Sequence, residues 1–94
     1  METKSKLSKL ANAFLKLRTS EEISALLADL LTKSEQNTLA TRLKVAEMLE
    51  QGAPYTQIAR ETGASSATIA KVSENFKYGS DGYKLVLERL NKAR

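Results

Sequence analysis

The sequence predicts an all-α fold of about six helices, and three observations carry that prediction. Apolar residues recur at helical spacing in each long segment. No segment alternates with the two-residue period of a strand. The breakers Gly52, Pro54, Gly63, Gly79 and Gly82 fall between the apolar stripes rather than inside them.

Leu7, Leu10, Ala11, Phe14 and Leu15 are spaced i, i+3, i+4, i+7, i+8, which predicts an amphipathic helix near 4–17. Thr19-Ser20-Glu21-Glu22 offers a cap and acidic residues for the next helix, whose stripe is Ile23, Leu26, Leu27, Leu30 and Leu31. Thr32-Lys33-Ser34-Glu35 fits a capping box and opens a third helix to about Gln51. Its apolar residues (Leu39, Leu43, Val45, Ala46, Met48, Leu49) spread wider than one stripe, as expected near the centre of a core. Gly52 stops that helix and Pro54 forbids its continuation. Two short helices follow near 56–62 and 66–75, then a loop over Lys77-Tyr78-Gly79-Ser80-Asp81-Gly82. Tyr83, Val86, Leu87 and Leu90 define a last helix before the basic tail Lys92-Ala93-Arg94.

At 94 residues the chain has room for one domain, expected to span 1–94, with core helices in 1–51 and a C-terminal helix in 83–94. A domain of this size buries only about two-thirds of its unfolded surface. The five aromatics (Phe14, Tyr55, Phe76, Tyr78, Tyr83) and the lack of Trp keep the supply of large core side chains thin. Several one-sided stripes therefore compete for cover, and sharing them between two chains motivates a homodimer.

Composition removes whole classes of function. With no Cys there is no disulfide or thiolate metal site, and with no His the usual zinc ligand and general base are missing. The acidic residues show no pairing in an apolar pocket pattern, so the sequence predicts no catalytic residues, no metal and no enzyme. No apolar run approaches the roughly 18 residues of a membrane span. The start, Met1-Glu2-Thr3-Lys4, is followed by no apolar h-region, so a cytoplasmic location is expected. The net charge of +4 is uneven: residues 1–18 sum to +4, residues 19–51 to −3 and residues 52–94 to +3. Two basic ends around an acidic middle suit a polyanion partner, although charged residues also simply solvate helix faces.

The informative stretch runs from Tyr55 to Asn75 and has the pattern of a helix-turn-helix, two helices joined steeply by a tight turn. Ala59 is small where the helices nearly touch, and Gly63, four residues later, tolerates a positive φ at the turn. Ile58, Ala64, Ile69 and Val72 fall where apolar side chains must face the rest of the domain. Ser65 and Ser66 are both good N-caps for the second helix. Its outward positions, Ser65, Ser66, Ala67, Thr68, Ala70 and Lys71, are small or polar and would let it enter the major groove of duplex DNA. Thr56 and Gln57 are expected to cap the first helix and reach phosphate, with Arg60 and Lys77 as further phosphate contacts. The competing reading is two ordinary short helices around a glycine.

From Leu30 to Leu90 the order of motifs resembles the Trp repressor superfamily. The likeness rests on Leu30-Leu31-Thr32, on Leu39-Ala40-Thr41-Arg42-Leu43-Lys44-Val45-Ala46-Glu47-Met48-Leu49, and on Tyr55 through Ser73. The segment Lys77 to Leu87 is similar to the YerC/YecD branch of that superfamily. The resemblance implies an intertwined homodimer with two reading heads flanking a shared core, on half-sites about one DNA turn apart. It also implies base contacts made largely through water. In the tryptophan-sensing member two arginines frame the corepressor, with a glycine after the second. Arg42 matches the first, but Lys71 and Val72 stand at the other two positions, and Asn75 completes the candidate effector pocket. A lysine lacks the planar fork of arginine, and a β-branched valine fills space that a ligand would need. Tryptophan is therefore disfavoured, leaving another small effector or none. Arg42 has a plainer role open to it, pairing with Glu47 or Glu35.

These readings predict a DNA-binding transcription regulator, a repressor, whose partners are double-stranded DNA and a second copy of itself. The alternative is an interaction or structural module that keeps the fold without reading DNA, because the outer face of the second short helix carries no Arg, Asn or Gln. The basic N-terminal helix (Lys4, Lys6, Lys9, Lys16, Arg18) has three readings: an arm on DNA, the solvated face of an amphipathic helix, or a membrane-surface contact.

Overall fold

The computed structural model describes residues 2–92, with side chains from residue 5 onward. The side chain of Lys4, and Ala93 and Arg94 of the basic tail, lie outside the described residues. Six helices follow one another: α1 (Glu2–Leu15), α2 (Ser20–Leu30), α3 (Lys33–Glu50), α4 (Tyr55–Thr62), α5 (Ser66–Tyr78) and α6 (Gly82–Lys92). Among the described residues there is no strand, and no helix is long and apolar enough to cross a membrane. The chain divides into two compact units, one reaching Gln36 and the other beginning at Asn37.

In the first unit α1 ends at Leu15, two residues short of the range the apolar spacing predicts. The reason is local: Lys16 and Leu17 donate to the carbonyls of Ala13 and Phe14, three residues back, which tightens the chain out of the α-helix. Thr19 caps α2 as expected, its Oγ1 accepting from Glu22 N–H at 3.1 Å, while the Glu22 carboxylate accepts from Arg18 N–H at 2.8 Å. The capping box of α3 forms in full. Thr32 N–H donates to Glu35 Oε1 at 2.8 Å, and Glu35 N–H donates to Thr32 Oγ1 at 3.1 Å. No residue of α2 is buried, and Leu7 and Leu15 on α1 are wide open to solvent.

The second unit holds a core of Val45, Ala46, Met48, Ile58, Ile69, Val72 and Leu87, drawn from α3, α4, α5 and α6. Leu49, Ala53, Ala59, Ala64, Phe76 and Tyr83 pack against it. Only the C-terminal half of α3 joins this core, since Leu39 and Leu43 remain exposed. The wide apolar spread of α3 therefore serves the core along half of the helix, not along its whole length. Gly52 ends the α3 region at φ 81°, as the glycine predicts. Helix α5 continues through Lys77 and Tyr78, which the sequence reading placed in a loop. Helical bonding persists until Gly79, whose N–H donates to Asn75 O at 2.9 Å. A Cβ on Gly79 would run into that same Asn75 carbonyl, so glycine is what lets the chain leave α5 at this point.

Candidate nucleic-acid interface

Helices α4 and α5 are held at their turn by backbone geometry and by one side chain. Gly63 sits at φ 74°, ψ 4°, and its N–H donates to Ala59 O at 2.9 Å. A left-handed C-cap of this kind costs an L-residue about 1–2 kcal/mol, and glycine avoids that cost. Thr62 does what the sequence reading missed. Its hydroxyl donates to Ile58 O at 2.7 Å and accepts from Ala64 N–H at 3.1 Å, so it bridges the end of α4 to the start of the turn. A threonine before a turn glycine was the available signal. Ile58, Ile69 and Val72 are buried and Ala64 packs on them, so the four predicted inward positions face the core of this unit.

The start of α4 differs from expectation. Pro54 is the N-cap and makes no side-chain cap bond, because a pyrrolidine ring has nothing to offer. Thr56 and Gln57 lie inside the first turn, and the Gln57 amide donates to Glu61 Oε2 at 2.8 Å. For α5, Ser65 takes the cap and Ser66 becomes the first helical residue. Ser65 Oγ accepts from Thr68 N–H at 3.1 Å and donates to Thr68 Oγ1 at 3.0 Å, so the Ser65 hydroxyl is committed to the cap.

The exposed positions of α5 include Ser66, Ala67, Ala70, Lys71, Glu74 and Lys77, while Ile69, Val72 and Ser73 are buried on the opposite side. At 3.6 residues per turn, Ala67, Ala70, Lys71 and Glu74 share one face. That face is narrow in side-chain bulk, as a helix entering the major groove requires. Its charge is mixed: Lys71 Nζ stands 3.6 Å from Glu74 Oε1. Arg60 on α4 and Lys77 in the last turn of α5 are both exposed. The carboxylates of Glu61 and Glu74, which a count of the motif's basic residues leaves out, dilute these cations.

The four candidate effector residues do not line one cavity within the chain. Val72 belongs to the core, Arg42 and Asn75 are exposed, and Lys71 is paired with Glu74. Asn75 instead borders an open groove of about 570 Å³ with Leu43, Tyr83, Val86 and the Gly79–Gly82 loop. Among the described residues no group of acidic side chains could hold a metal ion.

This geometry has close counterparts among known proteins. The family model of the Trp repressor protein matches residues 5–91. The chain belongs to the Trp repressor family. The uncharacterized protein YerC of Bacillus subtilis (strain 168) is 43% identical over 86 residues, covering 92% of this chain and 83% of that protein. This Trp repressor relative therefore falls in the YerC-like branch. Two crystal structures share its fold. A Trp repressor candidate from Staphylococcus aureus has a TM-score of 0.86 at 40% identity, covering 93% of this chain and 87% of that one. A TrpR-like protein from Eubacterium eligens ATCC 27750 has a TM-score of 0.87 at 39% identity, covering 93% and 90%. The six-helix, all-α, Trp-repressor-like architecture is thus the fold of the family as well as the reading of the sequence.

Proposed function

We propose that this Trp repressor family member is a sequence-specific DNA-binding transcription regulator, a repressor, acting as a homodimer in the cytoplasm, and not an enzyme. The observation that carries the reading is the α4–turn–α5 unit. Its left-handed Gly63 fixes the turn, its inner face is buried, and its outer α5 face carries small side chains apart from Lys71 and Glu74. Ser66, Ala67, Ala70 and Lys71 meet the major groove, Ser65 and Thr68 shape the start of the helix, and Thr56, Gln57, Arg60 and Lys77 sit toward the phosphates. The dimer reading is supported by apolar surface that a soluble monomer would not ordinarily leave open, including Leu39, Leu43, Val86 and Leu90 on α3 and α6.

The protein acts without tryptophan. Val72 already fills core space, and Lys71 engages Glu74 in place of a ligand carboxylate. The deciding experiment is selection from random duplex DNA by the purified protein at physiological salt. Enrichment of a palindrome with half-sites about one helical turn apart is the expected result. If nothing is enriched, either alone or with a pool of small metabolites that includes tryptophan, the regulator reading fails. An interaction module is the second reading, favoured by the lack of Arg, Asn or Gln among the exposed residues of α5 from Ser66 to Glu74. Under that reading, reversing the charge at Lys71 and Lys77 leaves the protein's activity unchanged.

A further inference from the structure

The face of α5 that would meet DNA carries a carboxylate in its middle. Ala67, Ala70, Lys71 and Glu74 are spaced i, i+3, i+4, i+7, opposite the buried Ile69, Val72 and Ser73. The side chains of Lys71 and Glu74 are 68% and 64% exposed, and their charged atoms are 3.6 Å apart. We propose that Glu74 is an affinity-setting residue: its carboxylate competes with DNA phosphate for the Lys71 ammonium and holds binding below what the cations of the head would give. This inference rests on the DNA-reading proposal above.

An exposed ion pair one helical turn apart is weak in water and readily exchanged. A duplex, by contrast, presents closely spaced phosphates with a condensed counterion layer. On docking, Lys71 therefore changes partner, and Glu74 is left beside a polyanion without its counter-ion. The exchange and the remaining repulsion both weaken binding to any duplex, because neither involves a base edge. Among the described residues Lys71 is the one cation of the α4–α5 unit held in an ion pair, so the device acts through it.

The test uses the full chain carrying Glu74→Gln, which keeps the side-chain shape and removes the charge. Glu74→Ala serves as a second variant, and circular dichroism confirms that each is folded. Dissociation constants are measured by fluorescence anisotropy for the selected palindrome and for a scrambled duplex across a salt series. We expect both duplexes to bind about fivefold tighter to Glu74→Gln. The slope of log affinity against log salt stays close to that of the wild type, because Lys71 reaches a phosphate in both proteins and only its partner in the free state is lost. In a Lys71→Gln background the same substitution changes affinity by less than about twofold, the signature of a coupled pair.

Binding that is unchanged or weaker in Glu74→Gln overturns the proposal. So does a gain that survives intact without Lys71, or one confined to the palindrome, which would make Glu74 a base reader. If the wild-type chain binds neither duplex, the DNA-reading proposal falls and takes this one with it. If the wild type binds and the variant binds no better, this inference alone is refuted.

Discussion

Replacing Gly63 by alanine isolates the backbone of the turn from its packing. Gly63 has φ +74°, and a Cβ built there meets no atom within 4 Å, so the substitution introduces no clash. What remains is the left-handed backbone, which costs an L-residue about 1–2 kcal/mol. The unfolded chain offsets part of that cost, because alanine has less freedom to lose than glycine, by about 0.4–1 kcal/mol. The net expectation is a loss of roughly 1 kcal/mol, since alanine at a positive φ costs more than the entropy it saves. Gly82 is the control. It also has open space around its Cβ position, but it opens α6 without a left-handed φ. Gly82→Ala should be neutral or stabilising, by up to about 1 kcal/mol, because glycine in a helix pays maximal backbone entropy. Urea denaturation of both variants at one fixed protein concentration measures the difference, which corresponds to roughly 4–8 °C in Tm per kcal/mol for a domain this small. If Gly63→Ala were as stable as wild type, or if the two variants shifted together, the turn would not owe its shape to glycine.

Thr32→Ala removes one half of the reciprocal cap on α3. It should cost about 1 kcal/mol in the same urea experiment, with Glu35→Ala costing a similar amount. Ile58→Ala empties a fully buried site in the core of the second unit, and about 2–5 kcal/mol of stability should go with it. Lys77→Gln should weaken binding to all duplexes alike and flatten the salt slope by about one, leaving the selected sequence unchanged. Leu90→Glu places a charge on the exposed apolar surface of α6. Sedimentation equilibrium should then report a shift from dimer to monomer, and an unaltered dimer would exclude this face from the interface.

Legibility from sequence followed how local the determining physics was. The capping box at Thr32–Glu35, the stop at Gly52 and the turn at Gly63 depend on a few neighbouring residues, and each forms where the sequence places it. The extension of α5 through Tyr78 was not legible, because Lys77 and Tyr78 sit beside turn formers whose pull is felt only from Gly79 onward. The cap of α4 was misread for a related reason. Thr56 is a good capping residue by type, but Pro54 is the N-cap and the helix starts at Tyr55, so Thr56 stands two residues past the cap. The outer face of α5 was legible as small and polar. Its electrostatic balance follows from the same helix, since Lys71 and Glu74 are three residues apart within 66–75, but it emerges only when the carboxylates are counted with the cations.

The chemistry of that face constrains how such a protein could discriminate between sequences. A bidentate hydrogen bond to a base pair, worth about 1–3 kcal/mol of discrimination, needs an Arg, Lys, Asn or Gln side chain. The outward stretch from Ser66 to Glu74 supplies Lys71 alone, weakly paired with Glu74, and Asn75 follows at the edge of that face. The Ser65 hydroxyl is committed to Thr68, accepting from its N–H and donating to its Oγ1, and a lone hydroxyl such as that of Thr68 gives no bidentate contact. A single head is therefore a poor reader through direct contacts. Two routes remain to a specific complex. Ordered water and sequence-dependent duplex shape can be read by a close-fitting helix of small side chains. Two heads on one rigid frame also add their free energies only on sites with the right spacing and symmetry. The second route requires the heads to be held in fixed relation by a dimer. On this argument the exposed leucines of α3 and α6 matter as much to sequence choice as the helix that touches DNA, and the Leu90→Glu monomer should keep salt-sensitive binding while losing its preference for a palindrome.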